Sequence, residues 1–118
     1  MKKDIIEVAL VSSRHDMPVE EAIFDYVQNP NDFGFLEWYA DQWIRRHCSI
    51  SIHAHEMPKN ALMMDCYVYK SNVELRVYVT GLSSALAAVI KSCVMHGVGL
   101  TLMHYDKDSG DYLPQKMW

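Results

Sequence analysis

The fold is decided by residues 77–106, VYVTGLSSALAAVIKSCVMHGVGLTLMHYD. The run begins and ends with residues typical of β-strands, and between them Gly81 and Gly97 bracket an alanine-rich stretch that favours a helix. A strand, a helix and a second strand in this order normally give parallel neighbours joined by a crossover. The segment therefore predicts a β-helix-β unit with parallel strands.

The N-terminal half predicts one strand and two helices. Residues 5–12 are nearly continuous in apolar character, which is typical of a buried strand. Pro18 suits the first turn of a helix that ends before Pro30, and Asn31 or Asp32 can cap a second helix. Apolar residues recur at helical spacing in both segments. The inward face of the first comprises Val19, Ile23, Tyr26 and Val27, and that of the second Leu36, Tyr39, Trp43, Ile44 and His47.

Strand patterns recur through the C-terminal half. Residues 49–55 alternate between polar and apolar side chains, and a short polar connection separates residues 62–69 from 73–80, which predicts an antiparallel hairpin. After the helix that starts at Ser83, a strand over residues 100–105 and a return strand over 111–113, before Pro114, complete the order β-α-α-β-β-β-α-β-β. We therefore expect one α/β or α+β domain over residues 1–118, with a mixed sheet of about five to six strands and three helices.

Composition limits the function classes. Half of the 118 residues are hydrophobic and the formal net charge is −4, which is typical of a globular protein without a positive field to hold an extended nucleic acid. No stretch approaches the ~18 apolar residues of a transmembrane helix. The N-terminal run lacks a small-residue cleavage site of a signal peptide. We therefore expect a soluble, cytoplasmic protein that binds neither membranes nor extended DNA or RNA.

The cysteines, serines and histidines of the sequence do not form a recognised metal-binding or nucleophile motif. Cys48, Cys66 and Cys93 include no Cys-x-x-Cys pair, so we expect buried thiols, and no Gly-x-Ser-x-Gly motif occurs. His53 and His55 project to one face of a predicted strand and are weak candidates for metal ligands. A solvent-facing polar strand side explains this pair more simply. We predict no cofactor.

One edge of the predicted sheet is the best place for a site. If the strands over residues 5–12, 73–80 and 100–105 are parallel, their carboxyl ends meet at one edge, where α/β sheets bind ligands. A helix N-terminus, an arginine and hydroxyl groups could hold a phosphate or carboxylate there. The ligand-binding candidates are Ser13, Arg14, Thr80, Gly81, Ser83 and Ser84, and the catalytic candidates are His15 and His104. A plain helix cap at Ser83, with Gly81 as a turn residue, needs no ligand.

Two functions fit these observations. The first is a small binding or interaction protein that forms homo-oligomers, which agrees with eight Met, three Trp and seven Tyr and with the weak catalytic signals. The second is a phosphodiesterase-like enzyme that binds an anion or nucleotide at the sheet edge. The layout of residues 77–106 is similar in shape to segments of nucleotide-sensing α/β domains, including small CRISPR-associated ring nucleases. We identify no family from this likeness of shape.

Overall fold

A computed structural model describes residues 4–12, 18–48, 51–54 and 67–118, with only the backbone described at 51–54 and 67–70. The strands among these residues are β1 (Asp4–Val11), β2 (Ala22–Phe24), β3 (Ser51–Ala54), β4 (Tyr67–Lys70), β5 (Val73–Tyr78), β6 (Gly99–Tyr105) and β7 (Tyr112–Lys116). The helices are α1 (Phe33–His47) and α2 (Ser83–His96). No helix of the described residues is long and apolar enough to cross a lipid bilayer.

The β-helix-β unit predicted from residues 77–106 is confirmed. β5 and β6 pair in parallel, and β1 lies parallel on the other side of β5. Five of the described strands form one sheet in the order β2-β1-β5-β6-β7, in which only β7 runs antiparallel to its neighbour. The strands β3 and β4 form a separate antiparallel pair. The mixed sheet and the two helices make a mixed α+β domain, as expected in outline.

The hydrophobic core lies between the sheet and the two helices. Alternate residues of β1, β5 and β6 face it, because side chains alternate between the two faces of a strand. Alanines at the contact allow α1 and α2 to approach closely. The core includes Val8, Leu10, Leu75, Val77, Leu100 and Leu102 from the strands and Ala40, Ile44, Ala85, Val89 and Cys93 from the helices. The inward face predicted for α1 is wrong at His47, which is exposed, whereas Tyr39 and Trp43 are half-buried and pack against the core.

The ends of the helices follow from local chemistry. Asp32 caps α1 as predicted, since its Oδ1 accepts a hydrogen bond from the Phe35 N–H at 3.2 Å. Gly97 ends α2 as predicted, with φ of 66° and a backbone N–H that donates to the Cys93 and Val94 carbonyls.

The first of the three predicted helices is absent from the described residues, and the short edge strand β2 stands in its place. The β2 backbone bonds to β1, with Ala9 N–H donating to Glu21 O and Ser12 N–H donating to Phe24 O, both at 2.9 Å. Ile23 and Phe24 are adjacent and both buried. Pairing with β1 thus outweighs the helical spacing of the apolar residues, because tertiary contacts readily override such a local pattern.

The predicted hairpin between residues 62–69 and 73–80 is also wrong where the structure describes it. β4 pairs with β3, whereas both edges of β5 are occupied by β1 and β6. Ser71 lies between β4 and β5, where the chain passes from the two-stranded pair to the five-stranded sheet. Its hydroxyl donates to Cys48 O at 2.6 Å and accepts from Val73 N–H at 3.1 Å. The return strand β7 is longer than predicted and runs through Pro114, which an edge strand tolerates.

Candidate functional site

The carboxyl ends of β1, β5 and β6 meet at one edge of the sheet, which satisfies the condition stated above for a ligand site there. The three strands are parallel neighbours, and Val79 N–H donates to Met103 O at 3.0 Å, which extends the contact to the residue before Thr80. The direction in which successive strands are added also changes at β1, because β2 lies on one side of β1 and β5 lies on the other. Open α/β sheets bind ligands at such points.

The N-terminus of α2 lies at this edge without a side-chain cap. Leu82 is the N-cap residue and makes no side-chain hydrogen bond, so the interpretation of Ser83 as the cap is wrong. Leu82 is partly buried against the core, and Ser83 is the first residue of the helix. The Thr80 hydroxyl oxygen is buried and has no hydrogen-bond partner among the described residues. Open space surrounds the position of a Cβ at Gly81, so neighbouring atoms do not require glycine there.

The structure describes only one of the other four residues that the sequence predicts at this edge. His104 is exposed near the end of β6, and its Nε2 lies 2.7 Å from Gln115 Oε1 on β7. Ser13, Arg14 and His15 lie outside the described residues. The structure therefore brings the Thr80–Ser84 segment and His104 to one sheet edge. Their joint site with Ser13, Arg14 and His15 stays a prediction.

The proposed histidine pair for a metal falls largely outside the described residues. His53 belongs to β3, whose side chains are not described, and His55 lies outside the described residues. Within the described ranges, no group of three His, Cys, Asp or Glu residues is placed to hold a metal ion. The metal site at His53 and His55 stays a prediction.

Two cysteines are buried thiols. Cys48 follows α1 and Cys93 lies on α2. Burial raises the pKa of the Cys48 thiol to about 11 and that of the Cys93 thiol to about 12, because a thiolate in the core loses its hydration. Neither thiol is a nucleophile near neutral pH.

We expect both thiols to resist modification in the folded protein. A Cys66→Ser variant removes the third cysteine and leaves only Cys48 and Cys93. At about pH 8, below both raised pKa values, Ellman's reagent should react with the folded variant only on the timescale of unfolding. Both thiols should react promptly after denaturation in guanidinium chloride. Rapid reaction of the folded variant would contradict their burial.

A polar cluster that the sequence analysis missed joins α1 to α2. Asp41 Oδ1 accepts hydrogen bonds from Ser92 Oγ at 3.1 Å and from His96 Nε2 at 2.5 Å, and Asp41 Oδ2 accepts one from Arg45 Nε at 2.8 Å. Ser92 and His96 are only 3% and 2% exposed. Burial acts to raise the pKa of Asp41, but the hydrogen bonds from His96 and Ser92 and the charges of His96 and Arg45 outweigh it. The pKa of Asp41 is therefore lowered from its ordinary 3.8.

The chemistry of this Asp41 cluster is structural. Asp41 and Ser92 line a groove of about 290 Å³ between the helices, but a general base must reach the proton that it takes from a substrate. His96 is buried in the helix interface and its Nε2 is bonded to Asp41. The signal that could have found the cluster is the spacing of Ser92 and His96, which share a helix face with the predicted core residues Val89 and Cys93.

A cleft of about 370 Å³ lies between the β2–α1 connection and the first turns of α1. Its lining includes four aromatic residues and two carboxylates: Phe24, Tyr26, Phe35, Tyr39, Asp25 and Asp32. Phe24 and Tyr39 stack with ring centroids 5.1 Å apart, and Tyr39 and Phe35 lie 6.0 Å apart. Phe24 is buried, whereas Tyr26 and Phe35 are 71% and 51% exposed. We call this feature the aromatic cleft.

The sheet face opposite the core carries polar and aromatic side chains. The strand register places residues from β1, β5, β6 and β7 in rows across it. These residues are Ile5, Glu74 and Gly99; Glu7, Arg76, Thr101 and Lys116; Ala9, Tyr78, Met103 and Pro114; and Tyr105 and Tyr112. Ala9, Tyr78, Gly99 and Thr101 among them are buried. None of them belongs to the hydrophobic core that the described helices cover. We call this surface the open sheet face.

Side chains on the open sheet face contact one another. Arg76 and Glu7 form an ion pair at 3.6 Å, and Thr101 Oγ1 donates to Glu74 Oε1 at 3.0 Å. The Tyr78 and Tyr112 rings meet edge-on with centroids 4.9 Å apart. Burial, together with the nearby charge of Glu7, raises the pKa of Tyr78. These contacts hold the face as an ordered surface.

No family model, curated protein or solved structure matches this chain. The fold alone does not define an activity, since one fold hosts many functions. The function of the sheet edge, the aromatic cleft and the open sheet face therefore depends on the chemistry of their own residues.

Proposed function

We propose that this chain is a small binding protein that assembles as a homo-oligomer through its open sheet face. The observation that carries this proposal is that β1, β5 and β6 are parallel neighbours, while the described helices pack against only one face of their sheet. Parallel strands are usually covered on both faces. A second layer from another copy of the chain would cover the open sheet face.

The chemistry of the open sheet face suits a second copy of itself. Its charges balance, because Arg76 and Lys116 match Glu7 and Glu74 in number. Ile5 and Tyr105 are 50% and 57% exposed, so apolar and aromatic surface is available. In a two-fold interface a patch meets its own copy, and a patch with balanced charge can do so without net repulsion. Tyrosine, methionine and arginine are also the residue types enriched in interfaces.

Sedimentation equilibrium tests this assembly. The wild-type chain should sediment at a multiple of its monomer mass, and Tyr105→Glu should shift the population toward monomer, because an unpaired charge at an interface opposes association. Trp38→Glu is the matched control, since Trp38 is an exposed aromatic residue of α1. A wild-type monomer at all concentrations would contradict the proposal. An association that Trp38→Glu weakens and Tyr105→Glu leaves intact would also contradict it.

An anion-binding enzyme of the phosphodiesterase type is the second candidate function. The sheet edge favours it, because the N-terminus of α2 lacks a side-chain cap and the buried Thr80 hydroxyl has no partner among the described residues. Helix N-termini of this kind attract phosphates and carboxylates. In this alternative Arg14, Ser83 and Ser84 hold the anion beside Ser13 and Gly81, and His15 or His104 transfers protons.

Thermal unfolding with inorganic phosphate and with nucleotides tests the second candidate. A ligand at 100 times its dissociation constant should stabilise the folded chain by about 2.7 kcal/mol. Arg14→Ala should abolish the shift, and His104→Ala should lower any phosphodiester hydrolysis while retaining the shift. The absence of a shift with every anion would exclude this site.

A further inference from the structure

We infer that the aromatic cleft binds an alkylammonium cation, a group with a quaternary or N-methylated nitrogen. The inference goes beyond the self-association proposed above, because the cleft lies beside α1 rather than on the open sheet face. It does not require a second copy of the chain.

The aromatic lining provides the first argument. The faces of tyrosine and phenylalanine rings carry partial negative charge and attract a cation within about 6 Å of the ring centroid. Tyr26 and Phe35 present exposed rings at the cleft, and Tyr39 is half-buried beside them. Buried Phe24 stacks on Tyr39 from behind, so that ring is fixed before a ligand arrives. Because the Tyr39 ring is already held in place, it loses little conformational entropy on binding.

Charge provides the second argument. Residues 18–44 contain no Lys or Arg and six acidic residues, so this segment alone is more negative than the net −4 of the whole chain. Asp25 and Asp32 line the cleft itself, and none of the described residues that line it is basic. The Asp32 carboxylate is held in place by its hydrogen bond from Phe35 N–H. The electrostatic field of such a surface concentrates cations and repels anions.

The size of the cleft and the cost of desolvation limit the class of cation that can bind. A volume of about 370 Å³ is near the lower end of small-molecule sites. A primary ammonium group is compact and strongly hydrated, so removing its water is costly. A methylated ammonium group is hydrated less strongly and presents apolar methyl groups to the rings. The lining therefore favours the methylated cation, carried either by a small free amine or by a methylated lysine side chain.

Isothermal titration calorimetry with choline, and with its neutral isostere 3,3-dimethylbutan-1-ol, tests the role of charge. Choline should bind at least about tenfold more tightly than the alcohol, because cation–π attraction of two or more rings is lost with the charge. Equal binding of the two compounds, or no binding of choline at millimolar concentration, would overturn the inference. A trimethyllysine peptide in a third arm identifies the source: tighter binding than choline indicates a protein side chain, and weaker binding indicates a free amine.

Variants locate the binding to the cleft. Tyr26→Leu should weaken choline binding at least about fivefold, whereas Tyr26→Phe keeps the ring and should retain it. Phe33→Leu is the matched control, since Phe33 is an exposed aromatic residue that does not line the cleft. Asp25→Asn should weaken binding and reduce its dependence on salt. If Phe33→Leu weakens binding as much as Tyr26→Leu does, the inference is wrong.

The Tyr105→Glu variant separates this inference from the proposed assembly. Choline should bind it as well as it binds the wild-type chain, because Tyr105 lies on the open sheet face. Loss of choline binding in a variant that remains folded would mean that the cleft needs the oligomer, which contradicts the inference. Failure of choline to bind an oligomeric wild-type chain overturns the cation site and leaves the assembly standing.

Discussion

Replacing Leu75 with alanine should destabilise the folded domain by about 3 to 4 kcal/mol. Leu75 is fully buried in β5, where it lies opposite Ile6 of β1 and Leu100 of β6. The substitution removes apolar contacts and leaves a cavity, and the strands on both sides cannot move in to fill it because backbone ladders hold them. Domains have only ~5–15 kcal/mol of total stability. One core substitution here therefore removes a large share of it.

Urea unfolding followed by circular dichroism measures this loss. The midpoint should fall while the dependence on urea stays unchanged, which indicates lost stability without a change in the surface exposed on unfolding. Val94→Ala is the control, since Val94 is an exposed apolar residue of α2, and it should cost less than about 0.5 kcal/mol. A Leu75→Ala loss as small as that of the control would contradict the placement of Leu75 at the centre of the core.

The sequence predicted the parts of the fold that local chemistry determines. The strand, capped helix and strand over residues 77–106 each carry signals within a few residues, and Gly97 and Asp32 mark helix ends by their own backbone and side-chain preferences. The parallel pairing of β5 and β6 follows from a helical connection long enough for a crossover. These features could therefore be predicted without the structure.

Features that depend on partners distant in the chain could not be predicted. Apolar residues around Ile23 have helical spacing, yet the segment forms β2 because its backbone pairs with β1. The hairpin prediction failed because β5 pairs with β1 and β6, both parallel to it. The short connection between β4 and β5 suggested instead that these two strands pair with each other. Strand pairing is a tertiary property, and the pattern of one segment does not encode it.

The candidate sites divide in the same way. The sheet edge near Thr80 follows from a topological rule that applies once strand direction is known. The aromatic cleft requires Tyr26 and Phe35 to line one cavity, and the mistaken helix that begins near Pro18 and ends before Pro30 concealed this arrangement. The Asp41 cluster requires a residue of α1 to meet two residues of α2 about fifty positions later in the chain. The spacing of Ser92 and His96 places both on the core-facing side of α2, but it does not identify Asp41 as their partner.

Replacing Asp41 with alanine should cost about 3 kcal/mol near neutral pH. Ser92 and His96 are buried, and each donates a hydrogen bond to Asp41 Oδ1. Without the carboxylate both donors lose this acceptor at a site that water reaches poorly, so their desolvation is no longer offset. Asp41→Asn should cost less, because its amide oxygen keeps an acceptor and only the charge is lost.

The stabilisation from the Asp41 charge should depend on pH with a definite sign. The pKa of Asp41 is lowered in the folded state, so near and below its ordinary 3.8 the unfolded chain binds the proton more readily. The contribution is fully present above that ordinary value and is lost as the pH falls through the lower folded-state value. Urea unfolding of the wild-type and Asp41→Asn chains should therefore show a difference that is constant near neutral pH and shrinks in acid. Asp108→Asn, a change at an exposed turn residue, should leave stability unchanged, and an Asp41→Asn difference that persists in strong acid would refute the role of the charge.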